Sequence, residues 1–539
     1  MQEKKNFTQD YTALPFDYGA TAAIENWRDD FRWPHHYNQS FNTVHSMISN
    51  IIGFISNIDN NSDRNIIILS LVQTVPKALF YGEVALTLQF EEDTGVRWIS
   101  SQPELDILRG QSKTINSDTY GIKNFKNHGP VKWGLARKSA RVSSWTPSLK
   151  FPKALLKPDV TVITHNPLLR QKARLSSLAI GFSHAETIYY LSTKGNVRNK
   201  QDYAQNNLFH LAQSLTTAFV NIDILKSDYQ ERLYNLIFPQ ILLSIEKANQ
   251  DLESIKSYRN LPTKLWSGSP GYYPSRAIGI EVRRRGGHLT TFAHGWFSGM
   301  SGLVEPFAIS ELAISNRYIV ETPLAAKLFR NVVTRGLPEK FNSIEIEGYR
   351  GPSSLSKLKL KINYSSSNKN NRTVYAPTIF RGGRQLFPPL LPDPVYLDWQ
   401  LRLVKFLQSL PVTLFCRPHP EGLLRNKEHP LSSVSDIAKG SFEDHMSGTD
   451  RFIFDYGQST TFAEALCTEK PIIFLDIGIT RFNSKVREML DRRCSVIKVL
   501  FSEKNLPIIN NKEITESLLS GPNNVDPTEF RELLMGEGV

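Results

Sequence analysis

Cysteine is scarce in this chain: Cys416, Cys467 and Cys494 are the only three among 539 residues. None stands at metal-ligand spacing, so neither a disulfide framework nor a structural zinc is expected. Long apolar runs are missing too. Asn65 to Val72 (Asn-Ile-Ile-Ile-Leu-Ser-Leu-Val) is strand-sized, well short of the ~20 residues that span a bilayer. No apolar segment follows Met1-Gln2-Glu3-Lys4-Lys5-Asn6, so a signal peptide is not expected. These absences point to a cytoplasmic chain. One further absence is local: no acidic residue occurs between Thr119 and Pro158.

That stretch carries Lys123, Lys126, Lys132, Arg137, Lys138, Arg141, Lys150, Lys153 and Lys157, with Trp133 and Trp145 among them. It supplies much of a net charge of +12, from 64 basic and 52 acidic residues. Such a field favours an anionic partner: a nucleotide, an acidic polymer or the anionic face of a membrane. A solvated basic loop is the plainer reading. Nucleic acid is not expected, because no recognised nucleic-acid module accompanies the charge.

The length predicts two or three domains. Residues 1–62 read as an N-terminal extension whose Val44, Met47, Ile48, Ile51, Ile52, Ile55 and Ile58 follow helical spacing. The polar face of that helix is Ser, Asn and His, which favours packing on protein over lipid. Residues 63–351 then alternate strand and helix: strand Asn65 to Val72, helix Pro76 to Phe90, and strand Asp159 to Thr164. A long helical region follows from Gln201 to Lys256, then helix Ser275 to Arg285, strand His288 to Ala293, strand Arg317 to Glu321 and strand Ser343 to Glu347. Pro352 to Asn371, rich in Ser, Asn and Lys, reads as a linker. Residues 352–539 restart the alternation with strands Arg372 to Ala376, Val412 to Cys416, Arg451 to Phe454 and Pro471 to Asp476. The expected class is α/β: two doubly wound, Rossmann-type domains with a cleft between them and a helical extension, the GT-B arrangement.

Chemistry concentrates at strand ends. Arg451-Phe452-Ile453-Phe454-Asp455-Tyr456-Gly457-Gln458-Ser459-Thr460-Thr461 runs from an apolar strand through a polar turn into a helix. Unpaired N–H groups and the helix dipole make such a helix start a phosphate seat. Thr461 and Glu464 also fit a capping box, Thr461 capping and Glu464 reaching back. Upstream, Cys416-Arg417-Pro418-His419-Pro420-Glu421 ends another strand. Its prolines restrict the backbone, and Arg417 and His419 could each donate a charge-assisted hydrogen bond of ~1.5–3 kcal/mol to phosphate. A rigid structural loop is the alternative. His294-Gly295 closes a third strand, where an imidazole can act as general base or bind a phosphate oxygen, or serve only the turn. Thr378, and Arg381 in Arg381-Gly382-Gly383-Arg384, follow the strand Arg372 to Ala376; this loop is either a closing flap over a phosphate or ordinary surface. Glu91-Glu92-Asp93 offers carboxylates for a base, or a solvated helix end.

Taken in order, the His294-Gly295 strand end, Tyr375-Ala376-Pro377-Thr378, Arg417-Pro418-His419-Pro420 and Asp455-Tyr456 to Ser459-Thr460 resemble the CDP-glycerol glycerophosphotransferases. They are similar as well to capsule-forming Kdo transferases and polysialyltransferases. The resemblance covers about residues 275–476. It implies GT-B architecture and a cytidine-nucleotide donor, with His419-Pro420 and Ser459-Thr460 holding the donor phosphate and Thr461 adjacent. Two departures stand out. Trp296-Phe297-Ser298-Gly299-Met300 replaces the Thr-Pro-Leu-Lys-type stretch that follows His-Gly in the glycerophosphotransferases. The acidic pair that precedes Gly in the sialyl-type families has its nearest counterpart in Glu92-Asp93-Thr94-Gly95, one residue too long, which leaves the base unassigned.

The expected function is a cytoplasmic glycosyltransferase of capsular or lipopolysaccharide assembly, able to sit at the inner membrane. It would move a nonulosonate such as Kdo from a CMP donor to a glycan or lipid-linked acceptor. Catalysis is assigned to His294 and His419. The nucleotide and its phosphate fall to Arg417, His419, Pro420, Ser459, Thr460, Thr461, Glu464, Thr378 and Arg381. No metal is expected, and no cofactor besides the nucleotide-sugar substrate. Transfer of glycerol phosphate from CDP-glycerol, a non-hydrolysing UDP-sugar epimerase and a non-catalytic GT-B scaffold are the alternatives.

Overall fold

The structure, a computed structural model, describes residues 11–111, 158–193, 205–350, 371–446, 448–519 and 525–536. The basic stretch between Thr119 and Pro158 lies almost wholly outside them, as does all but the last residue of the expected linker.

Near the N-terminus β1 (Thr12–Pro15) pairs in parallel with β2 (Val96–Ile99). Between them run two long helices, Tyr37–Asn57 and Asn61–Leu88. The first is the helix that the apolar spacing predicts. The second corrects the reading of Asn65 to Val72 as a strand, since those residues are its first turns and Pro76 sits inside it. The cause is burial on nearly all sides. Ile66, Ile67, Ile68, Leu69 and Leu71 are all core residues, so the segment has no polar face and shows no helical period. Carbonyls along this helix find partners in side chains: Ser244 Oγ donates to Ser70 O at 3.0 Å and Arg276 Nη1 to Ile68 O at 3.1 Å. By length and composition this one helix among the described residues could cross a membrane, yet 67% of its most apolar window is buried within the fold. The expected boundary at residue 62 falls in its first turn.

Six parallel strands build the first large sheet: β3 (Val160–Thr164), β4 (Ile180–Phe182), β5 (Lys264–Ser267), β6 (His288–Phe292), β7 (Arg317–Val320) and β8 (Glu345–Gly348), in the order β4-β3-β5-β6-β7-β8. The long helical region between β4 and β5 divides into Ala185–Thr193, Gln205–Val220 and Ser227–Lys256. A second sheet follows: β9 (Arg372–Ala376), β10 (Thr413–Cys416), β11 (Asp436–Ile437), β12 (Arg451–Phe454), β13 (Ile472–Asp476) and β14 (Ser495–Lys498), in the order β11-β10-β9-β12-β13-β14. Counted from β9, this is the 3-2-1-4-5-6 order of a Rossmann sheet, and its direction of winding reverses between β9 and β12. Strands covered on both faces read as continuous apolar runs. Phe452, Ile453 and Phe454 of β12 are each fully buried, a contribution of about 1.5–3 kcal/mol per side chain.

The two sheets meet through specific backbone contacts. Ser301 and Phe482 form an antiparallel bridge, Gly302 N donates to Arg481 O at 2.7 Å, and Asn483 N donates to Met300 O at 3.0 Å. The helix Thr528–Met535 returns to the first half, where Thr322 Oγ1 donates to Leu533 O at 2.6 Å. N-terminal residues bridge both halves. His45 pairs with Glu305 at 3.1 Å, Arg28 with Asp398 at 3.0 Å, and Tyr37 Oη donates to Pro389 O at 2.7 Å. The expected extension is therefore built into the core.

Candidate functional site

The turn after β12 is held from below. Asp455 accepts hydrogen bonds from Tyr375 Oη at 2.5 Å, Tyr396 Oη at 2.9 Å and Trp399 Nε1 at 3.0 Å. Burial pushes its pKa up to about 6 against the pull of these donors. Two residues on, Gly457 N donates to Thr480 Oγ1 at 2.9 Å. Helix Thr460–Leu466 then begins with Ser459 as its N-cap, Ser459 Oγ accepting from Phe462 N at 3.1 Å. This corrects the expected capping box: Ser459, not Thr461, caps the helix. Thr461 Oγ1 instead lies 3.1 Å from Ser459 Oγ.

From this turn a cavity of about 450 Å³ opens toward the first half, within the size range of small-ligand sites. The second sheet contributes Gly457, Gln458, Ser459, Thr460, Ala463 and Glu464, with Glu443 from the helix Phe442–Met446. Facing them are Ala293 to Phe297 and Met300 after β6, Glu321 after β7, and Pro167 and Leu168 after β3. Both sheets thus present their carboxyl edges to one space, the place where parallel α/β sheets bind ligands.

The acids of this cavity are in unusual states. Glu321 is 1% exposed, and no other residue hydrogen-bonds to either of its carboxyl oxygens. Loss of water pushes its pKa up to about 8; its own backbone N–H opposes the shift and Glu311 adds to it. Glu464 is also buried, and burial pushes its pKa up to about 8 with help from Glu443. Behind β6, Glu311 accepts from Tyr318 Oη and interacts with the His294 backbone N–H; burial holds its pKa at about 7. Near neutrality Glu321 and Glu464 are thus largely protonated and can donate as well as accept. Among the described residues no lysine or arginine lines the cavity, and no group of three His, Cys, Asp or Glu could hold a metal ion.

Of the residues singled out from the sequence, His294, Ser459, Thr460 and Glu464 come together here. The others stand elsewhere. Arg417 lies near Glu443, and its guanidinium donates to Gly440 O and, at 3.1 Å, to Pro418 O. His419 and Pro420 are exposed on the same loop; His419 Nδ1 accepts from Glu421 N at 3.1 Å, and partial desolvation of the ring lowers its pKa. Thr378 is buried and donates its N–H to Tyr396 Oη at 2.8 Å. Arg381 forms a buried ion pair with Glu83, while Asp393 accepts from the N–H groups of Arg381 and Gly382, each at 2.9 Å. That loop is pinned to the long N-terminal helix rather than open to a ligand. Glu91 is likewise engaged, by Trp98 N at 2.8 Å and by Arg109. The side chains of Glu92 and Asp93 fall outside the described ones.

Sequence reasoning missed Glu321. The available signal is slight: an acid closes the apolar strand Tyr318-Ile319-Val320, directly before the helix start Thr322-Pro323. The chain is an α/β protein of two parallel six-stranded sheets with a cavity between their carboxyl edges. Comparison with family models, with curated proteins and with solved structures gives no match.

Proposed function

We propose that this chain is a glycosyltransferase of GT-B type, which moves a nonulosonate sugar such as Kdo from a CMP-activated donor to a glycan or lipid-linked acceptor. The reading is carried by the cavity shared between two parallel sheets, with Ser459 and Thr460 on one wall and His294 and Glu321 on the other. Two reactants must meet in a transferase, and a space lined from two separate ligand-binding edges suits that need. Carboxyls that both donate and accept, beside the buried Trp296, suit a hydroxyl-rich ring.

In this reading the donor lies along the second sheet at the reversal between β9 and β12. Its phosphate meets the hydroxyls of Ser459 and Thr460. The end of β10 stands two strand spacings from β12, about 10 Å, and in this reading Arg417 and His419 meet the nucleotide portion from there. The acceptor enters beside His294. Cytidine as the base rests on the ordered set of motifs alone.

The test is thermal stabilisation by CMP, CDP, UDP and GDP at equal concentration. A ligand at 100 times its Kd adds about 2.7 kcal/mol. Selective stabilisation by CMP is expected. Preference for UDP would move the reading to an epimerase or another transferase, and no response to any nucleotide would overturn it.

A further inference from the structure

The sequence leaves the proton acceptor of such a transfer unassigned, and the structure adds an acid that lines the cavity from the first half. Glu321 stands at the carboxyl end of β7, in the first half, across the cavity from Ser459 and Thr460. It is fully buried, yet no other residue hydrogen-bonds to either of its oxygens. A buried carboxyl in that condition is costly to the fold. An acceptor hydroxyl would satisfy it once the carboxyl turns toward the cavity, since neither oxygen is exposed.

We propose that Glu321 is the general base of the reaction: it takes the proton of the acceptor hydroxyl as that oxygen bonds to the anomeric carbon of the donor, while the bond from that carbon to the donor phosphate breaks and its electron pair leaves on the phosphate oxygen. The assignment rests on the transferase reading above. Proton and charge balance: the carboxylate becomes a carboxylic acid, and the phosphate carries away the negative charge toward Ser459 and Thr460.

The other acids around Glu321 do not compete for this role, and His294 is the one rival on the same wall, which Glu321→Gln separates from it. Glu311, on the π-helical turn Ala308–Leu312, is held by Tyr318 of β7. His294 reaches the cavity from the end of β6 and is exposed. Glu464 and Glu443 belong to the second half, on the wall that carries the phosphate-facing hydroxyls. A base on the donor's own wall would sit on the leaving-group side, whereas Glu321 faces it. Burial, which holds Glu321 protonated to about pH 8, also makes the ionised form a strong base.

Glu321→Gln keeps the shape and removes the base; Glu321→Asp keeps the base and withdraws it by one methylene. The probes are CMP for binding, and release of nucleotide from a panel of CMP-activated sugars, with water or added glycan as acceptor, for turnover. Glu321→Gln is expected to retain stabilisation by CMP and to lose ~10²–10⁴-fold in turnover; Glu321→Asp should recover part of it. In the wild type, kcat/KM should rise about tenfold per pH unit and level near pH 8, and Glu321→Gln should lose that limb. An infrared difference spectrum between pH 6 and 9.5 should show protonated-carboxyl absorption lost in the wild type, and Glu321→Gln should lack one component of that loss while those of Glu464 and Glu311 remain. Wild-type turnover in Glu321→Gln, or a Glu321 already ionised at pH 6, would overturn the assignment with the donor reading intact. Failure of the wild type to bind any nucleotide would overturn both.

Discussion

A β-carbon on Gly457 would stand 2.3 Å from Phe482 Cζ and 3.1 Å from Thr480 Cγ2. The ring of Phe482 has no room to withdraw, because it packs against Phe297, Phe462 and Phe474. Its backbone also forms the bridge to Ser301 in the first half. The turn that shapes one wall of the cavity is thus locked to the contact that joins the two sheets.

Gly457→Ala should therefore lower stability by ~1–3 kcal/mol through overpacking and reduce stabilisation by nucleotide. Urea unfolding with and without CMP measures both. An alanine variant with wild-type stability and wild-type CMP response would show that the close approach does not matter.

Ser459 and Thr460 allow capping to be separated from ligand contact. Ser459 Oγ caps the helix, whereas Thr460 is its first residue and stands exposed at the cavity. Ser459→Ala is expected to cost about 1 kcal/mol of stability as well as nucleotide response. Thr460→Val should leave stability within about 0.5 kcal/mol and lose nucleotide response alone. Equal stability losses in the two variants would contradict the observed cap.

Much of this site was legible because strand ends carry conspicuous polar residues. His294-Gly295 and Gly457 through Thr460 stand in breaks after apolar strands, and both fall on the cavity. Glu464 fits both a capping box with Thr461 and the nucleotide site by sequence; the structure does not form the box, and its side chain is buried at the cavity wall. Other features lacked a local signal. β5 is only Lys-Leu-Trp-Ser, too short and too free of β-branched residues to read as a strand. Arg381 looked like a loop cation because its partner, Glu83, lies 298 residues away in sequence, and no local pattern encodes a pairing at that range.

That pairing gives a third prediction. Glu83 is inaccessible and Arg381 nearly so, and Gln385 Nε2 donates to Glu83 at 2.8 Å. Removing one member of a buried pair strands the other charge. Glu83→Ala should thus cost ~3–5 kcal/mol, whereas replacing both by well-packed apolar residues, Glu83→Leu with Arg381→Met, should recover most of it. Urea midpoints of the single and double variants decide. A loss under about 1 kcal/mol in the single variant would mean that the pair does not join the N-terminal helix to the second half.

The protonated acids of the cavity make stability depend on pH in a defined direction. Glu321 and Glu464 have pKa values pushed from 4.5 up to about 8 in the folded chain. Below pH 4.5 both states carry the protons, and the contribution of each group is fully present. Between 4.5 and 8 the unfolded chain releases protons that the folded chain keeps, so stability falls as pH rises, by at most about 1.4 kcal/mol per pH unit for each group. Above 8 the loss levels off. Glu311 at about 7 and Asp455 at about 6 act with the same sign over narrower windows. Glu321→Gln and Glu464→Gln cannot ionise, so each should flatten the decline of the urea midpoint between pH 5 and 8.5, and the double variant should flatten it most. Unchanged pH dependence in the double variant would show that both carboxyls are ionised in the folded chain at neutral pH, and that some group outside the described cavity partners them.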